Sequence, residues 1–148
     1  MASLPREVWG DLATTALVEA SHLFKSLDPA ARRDLLQVAR LVECAPGEVV
    51  SAAADDGFFL LREGGAAVLL DGGSGPAEIA VLERGAFFGE GRVLGGGRPA
   101  SLAARTAVAA VVFPAPMIAA LAERFPRMKR LLEAVLAARE RDAAARLA

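Results

Sequence analysis

The chain has 148 residues, enough for one domain with its own core, and its 17 basic and 18 acidic side chains leave a formal net charge of -1. No global field draws nucleic acid or an anionic membrane, so any anion must be caught locally. A single cysteine, Cys44, and a single histidine, His22, exclude an intramolecular disulfide and a Cys/His zinc site, and make a reducing cytoplasm the expected compartment.

The opening "MASLPREVWGDL" places acidic residues where a secretory leader would carry a basic end and an apolar run, so export is not expected. From Val8 to Leu27 the apolar residues Val8, Leu12, Ala16, Leu17, Leu23, Phe24 and Leu27 recur every three to four positions. This predicts an amphipathic helical region broken near Ser21, with Trp9 as an anchor for its first helix. "LDPAARRDLLQVARLV" predicts a second helix, capped by Asp28, with Pro29 in the first helical position where its missing N–H costs nothing, ending at about Arg40 or Leu41. The N-terminal helices are thus assigned to residues 4–41.

From "CAPGEVV" onward, short β-prone runs ("EVV", "FFLLRE", "AAVLL", "EIAVLE") alternate with turn clusters ("AADDG", "EGG", "DGGSGPA", "RGA"). Such spacing predicts an antiparallel roll or barrel over residues 42–113. The uncharged stretch Thr106–Ala122, "TAVAAVVFPAPMIAALA", reaches the lower length for crossing a bilayer. Pro114 and Pro116 divide it, so it reads as a buried strand, a turn and a short helix, and membrane insertion is not expected. Helical spacing returns over residues 115–146. There Met128, Leu131, Leu132, Val135 and Leu136 form a stripe that suits core packing, a homodimer seam or a lid. The fold class is therefore α+β: one domain over 1–148, an antiparallel, jelly-roll-like β-roll flanked by N- and C-terminal helices.

The chemistry concentrates in "FFGEGRVLGGGRPASLAAR", residues 87–105. Gly89 allows a sharp turn, Glu90 to Leu94 form one helical turn, and Gly95 to Gly97 end it. The free N–H groups of such a turn, together with the planar donor fork of Arg98, suit a phosphate. A carboxylate beside a phosphate makes sense if Glu90 accepts from a neighbouring hydroxyl, such as a ribose 2′-OH. His22 lacks an evident carboxylate or cysteine partner, Cys44 reads as a buried, inert thiol, and Arg105 reads as a solvent-facing side chain. No paired carboxylates, nucleophile–base couple or metal cluster emerges, so an enzyme, a bound cofactor and a metal are not expected.

This stretch resembles the phosphate-binding cassette of cyclic nucleotide-binding domains, F-G-E, aliphatic residues, a variable loop, then R-x-A-[ST]. Phe88, Gly89 and Glu90 match its first part, and Arg98, Ala100 and Ser101 its second. "LFKSLDPAARRDLLQVARLVECAPGEVV", with its "PGE" turn at Pro46, Gly47 and Glu48, and "DDGFFLLREGGAAVLL" resemble the family's entry helix, first strand and next hairpin, so the resemblance covers about residues 23–140. It implies that Glu90 binds a ribose 2′-OH and Arg98 the cyclic phosphate. It also implies that the backbone of Gly89, Glu90, Gly91 and Arg92 meets the same phosphate, that Ser101 meets phosphate or base, and that the last helix closes over the base. Two neighbours depart from the pattern. Arg92 stands where relatives carry a small residue, and turns either outward or into the site as a second cation. Pro99 removes an N–H that relatives can offer.

The implied function is a regulatory module in which cAMP or cGMP shifts the C-terminal helix and signals to another protein chain, with a possible homodimer through that helix. The alternative is a degenerate docking or dimerisation module that binds no nucleotide. Few residues follow Ala143, so the helix-turn-helix that catabolite-activator-type regulators use on DNA is not expected, and neither is direct DNA binding.

Overall fold

The coordinates form a computed structural model that describes residues 5–71 and 74–147. Leu4, where the expected N-terminal helical segment begins, and Gly72 and Gly73 of the "DGGSG" turn lie outside the described residues. The chain enters as strand β1 (Arg6–Glu7) rather than as a helix, followed by helix α1 (Leu12–Ala20). The break at Ser21 is present, but the stripe is not the expected one. Thr14, Leu17 and Val18 are buried, whereas Leu12 is 83% exposed and Trp9 54% exposed. Trp9 is therefore not an anchor; its neighbour Val8 fills that place. Thr14 is tolerated in the interior because its hydroxyl donates to Asp11 Oδ2 at 2.7 Å and accepts from Arg62 at 3.2 Å.

Helix α2 (Pro29–Val38) starts as its sequence dictates, with Asp28 Oδ1 accepting from the Ala31 amide at 2.8 Å and Pro29 in the first turn. It ends two residues early, because Arg40 already pairs with Val112 in the sheet. The strands that follow are β2 (Arg40–Cys44), β3 (Val49–Ser51), β4 (Gly57–Glu63), β5 (Ala66–Asp71), β6 (Pro76–Leu82) and β7 (Phe87–Phe88). Helix α3 (Glu90–Leu94) then precedes β8 (Ser101–Ala104), β9 (Val108–Pro114), α4 (Ala115–Arg124) and α5 (Pro126–Leu147).

The strands form two open antiparallel sheets, ordered β1-β2-β9-β4-β7 and β3-β8-β5-β6. The central strands of the first, β4 and β9, are buried on both faces. Along β4, Phe58 and Leu60 join the cluster beneath the helices, while Phe59 and Leu61 join the cluster between the sheets. On β9, Val111 and Phe113 face the helices and Val108 and Ala110 face the other sheet. That double burial is why "TAVAAVVF" carries no charge: a strand covered on both faces reads as a continuous apolar run. No helix among the described residues is long and apolar enough to cross a membrane.

Helix α5 has two halves that pack differently. Met128 and Leu132 are buried beneath the helices with α1, α2 and α4. One face then continues through Leu136, Arg139, Glu140 and Ala143 toward the mouth of the roll, where Ala143 is 1% exposed within the cluster between the sheets. Of the apolar stripe, Met128 and Leu132 are buried in the core, Leu131 packs against it and Leu136 lines the mouth of the roll.

Candidate functional site

The cassette is seated by the pairing of β7 with β4, Phe88 opposite Phe59. At Gly89 the backbone turns with φ of 112°, and a Cβ there would lie 2.7 Å from the carbonyl oxygen of Gly57. Only glycine combines that torsion with that approach. Glu90 and Gly91 follow as the first residues of α3, where amides have no carbonyl ahead of them in the helix. Gly95 and Gly96 both return their amides to the carbonyl of Gly91, at 2.8 and 3.0 Å, which closes the loop.

Arg92 turns toward the body of the domain. Its Nη1 donates to Ser51 Oγ at 2.7 Å and to the Gly57 carbonyl at 2.9 Å, its Nη2 to the carbonyls of Ala52 at 2.9 Å and Ala100 at 3.4 Å, and its guanidinium lies 5.0 Å from the Phe88 ring centroid. Every one of these acceptors is neutral. Burial lowers the Arg92 pKa, against the opposing fields of Asp55, Asp56 and Glu90. The side chain that the sequence left undecided therefore clamps α3 to the 51–57 turn and to the start of β8.

Glu90 is 5% exposed. Its two carboxylate oxygens accept from Nη1 of Arg139 at 2.8 and 2.7 Å, and Arg139 Nη2 donates to the Phe87 carbonyl at 2.6 Å. A second contact from the next residue of α5 reaches the loop, where Glu140 Oε1 accepts from the Arg98 amide at 3.1 Å. Arg98 itself is exposed and its side chain has no ion-pair partner among the described residues.

These groups enclose a cleft of about 230 Å³. Phe88, Gly89, Glu90, Gly91, Arg92, Arg98, Pro99 and Ala100 line it from the cassette, with Leu136, Arg139, Glu140 and Ala143 from α5 and Val68, Leu70 and Ile79 from the roll. Ser101 instead lines a neighbouring cleft, with Arg98, Pro99, Leu69, Asp71 and Leu147. Arg139 and Glu140 are absent from the sequence-derived set. Their signal was present: 132, 136, 139, 140 and 143 share one helical face, which continues the apolar stripe into charge.

Elsewhere, Cys44 is buried and desolvation raises its thiol pKa. Arg105 pairs with Glu78 at the surface. His22 is exposed. No group of His, Cys, Asp and Glu residues that could hold a metal ion occurs among the described residues.

The family model for the cyclic nucleotide-binding domain matches residues 41–125, more than half the chain, and the chain belongs to that family. Its fold is shared with the sensor domain of the transcriptional regulator DNR from Pseudomonas aeruginosa, with a TM-score of 0.73, 20% identity, and 85% of this chain and 87% of that one covered. It is also similar to the catabolite activator protein of Thermus thermophilus, with a TM-score of 0.65, 26% identity and 84% of this chain covered. The regulatory domain of Toxoplasma gondii PKA in complex with cAMP gives a TM-score of 0.66 at 18% identity over 82% of this chain. This chain spans 61% of the Thermus protein and 48% of the Toxoplasma one. Among curated proteins nothing matches.

Proposed function

We propose that this chain is a regulatory module that binds cAMP or cGMP in the cleft between the cassette and α5. One observation carries the reading: Glu90 and Arg98, the residues expected to meet ribose and phosphate, line the same cleft, and α5 forms its opposite wall. In this reading Arg139 orients Glu90, whose two oxygens keep lone pairs for a ribose 2′-OH, because a carboxylate offers about four acceptor sites. The exposed Arg98 guanidinium supplies a planar donor fork for the phosphate. Ser101, in the neighbouring cleft, reaches the ligand only if the base or phosphate extends past Pro99.

The position of α5 links binding to signalling. The cleft of about 230 Å³ adjoins one of about 750 Å³ that shares Ala53, Leu70, Arg98 and Pro99 with it. Because α5 walls the cleft, a difference in ligand affinity between two positions of the helix drives its shift. A partner chain that recognises the displaced α5 would receive the signal.

A second reading, a docking module that binds no nucleotide, is favoured by the engagement of Glu90 with Arg139. Calorimetric titration with cAMP and with cGMP, on the wild type and on Arg98→Ala, separates the two. Binding that Arg98→Ala weakens at least tenfold supports the sensor. Silence at millimolar ligand supports the docking module.

A further inference from the structure

Resting on that reading, we infer that the carboxylate of Glu140 is a built-in anion that holds the Arg98 amide in the free protein and opposes entry of the ligand's phosphate beside Arg98.

Several amides of the loop are already given to its own carbonyls. The amides of Gly95 and Gly96 are given to the Gly91 carbonyl, those of Arg92 and Val93 to the Gly89 carbonyl, and Pro99 has none. The Arg98 amide stands at the end of this series and is given to Glu140 Oε1. The carboxylate comes this near because residue 97 is glycine. A Cβ on Gly97 would lie 3.3 Å from Glu140 Oε1 and 2.9 Å from Leu136 Cδ1, at a φ of 83°. The glycine at position 97 is thus what lets α5 rest on the cassette.

Glu140 lines the cleft together with Gly91, Arg92 and Arg98. Glu140 holds one N–H there, beside the exposed Arg98 guanidinium to which the proposed phosphate would bind. Two anions side by side repel. Entry of the phosphate therefore requires Glu140 to leave, and α5 loses that tie to the cassette while Arg139 keeps its own to Glu90 and Phe87. The ligand is weakened by the cost of displacing Glu140, and the same displacement reports its arrival to the helix.

The test is calorimetry with cAMP and cGMP on the wild type, Glu140→Ala, Glu140→Gln and Asp142→Ala. Asp142 is exposed two positions along and controls for the change in net charge. Glu140→Ala is expected to bind about tenfold tighter than the wild type, the weight of one charge-assisted hydrogen bond. Glu140→Gln, which keeps an acceptor but no charge, should fall between them, and Asp142→Ala should match the wild type. Equal or weaker binding by both Glu140 variants, in a protein whose wild type does bind, overturns the inference and leaves the nucleotide reading standing. Absence of binding by the wild type and every variant at millimolar ligand overturns both. Melting temperatures of the four proteins identify any variant that loses affinity through loss of fold.

Discussion

Arg92→Ala tests whether the guanidinium clamp, rather than the glycine-rich loop itself, gives the cassette its shape. The substitution removes four donated hydrogen bonds and a cation–π contact at 5.0 Å. It leaves Ser51 Oγ, on a residue that is 0% exposed, and the half-buried Gly57 carbonyl without that donor, whereas the exposed Ala52 carbonyl can turn to water. Left unpaired, the buried Ser51 Oγ costs about 1–3 kcal/mol and the half-buried Gly57 carbonyl about 1 kcal/mol, and the ring contact adds about 0.5–1 kcal/mol. Against this, releasing a partly buried cation to solvent returns part of its desolvation, the effect that lowers the Arg92 pKa. The net expectation is a loss of about 2–4 kcal/mol in urea denaturation, and a melting temperature lower by roughly 5–15 °C. Arg92→Lys, with one compact donor group in place of a planar fork, should recover less than half of the loss. A change below about 0.5 kcal/mol, the range of an ordinary surface substitution, would refute the clamp.

Two further predictions concern the body of the domain. The Thr14 hydroxyl, and secondarily Arg62, hold the Asp11 carboxyl below its usual pKa against the opposing pull of burial. A carboxyl depressed in the folded state contributes stability above its unfolded pKa and loses it as the pH falls through the folded value. Asp11→Ala should therefore lower the melting temperature at pH 7 and change it little near pH 2; an equal loss at both values contradicts the linkage. For Cys44, burial raises the thiol pKa, so at pH 7–8 less thiolate is present than in an unfolded chain. Iodoacetamide labelling should be at least tenfold slower in the native protein than in urea, and equal rates would show the thiol to be accessible.

What the sequence made legible follows from which forces act locally. The Asp28 cap, the Pro29 start and the break at Ser21 are properties of a few neighbouring residues, and all three appear in the structure. The misreadings lie where distant contacts override local pattern. Leu12 of the helical stripe and Trp9, the expected anchor, face outward, because Arg62, 51 residues from Asp11 and 48 from Thr14, holds both toward the body of the domain. Helix α2 stops short of its local pattern for a similar reason, since the pairing of Arg40 with Val112 takes that residue into the sheet. In the cassette, the order of Glu90, glycines and Arg98 is visible in the chain. The direction of Arg92 is not, because its acceptors come from residues 51, 52, 57 and 100.

By itself the sequence determined the class of fold and the location of the cassette, because helix caps, strand–turn alternation and a short motif are all encoded within a few residues of one another. Only the tertiary structure decided what faces the cassette. The fold-back of α5 brings Arg139 to Glu90 across 49 positions and Glu140 to the Arg98 amide across 42. No local pattern specifies such a pairing of charges; it exists because Met128, Leu132 and Ala143 are buried at points of the fold that leave the helix no other path.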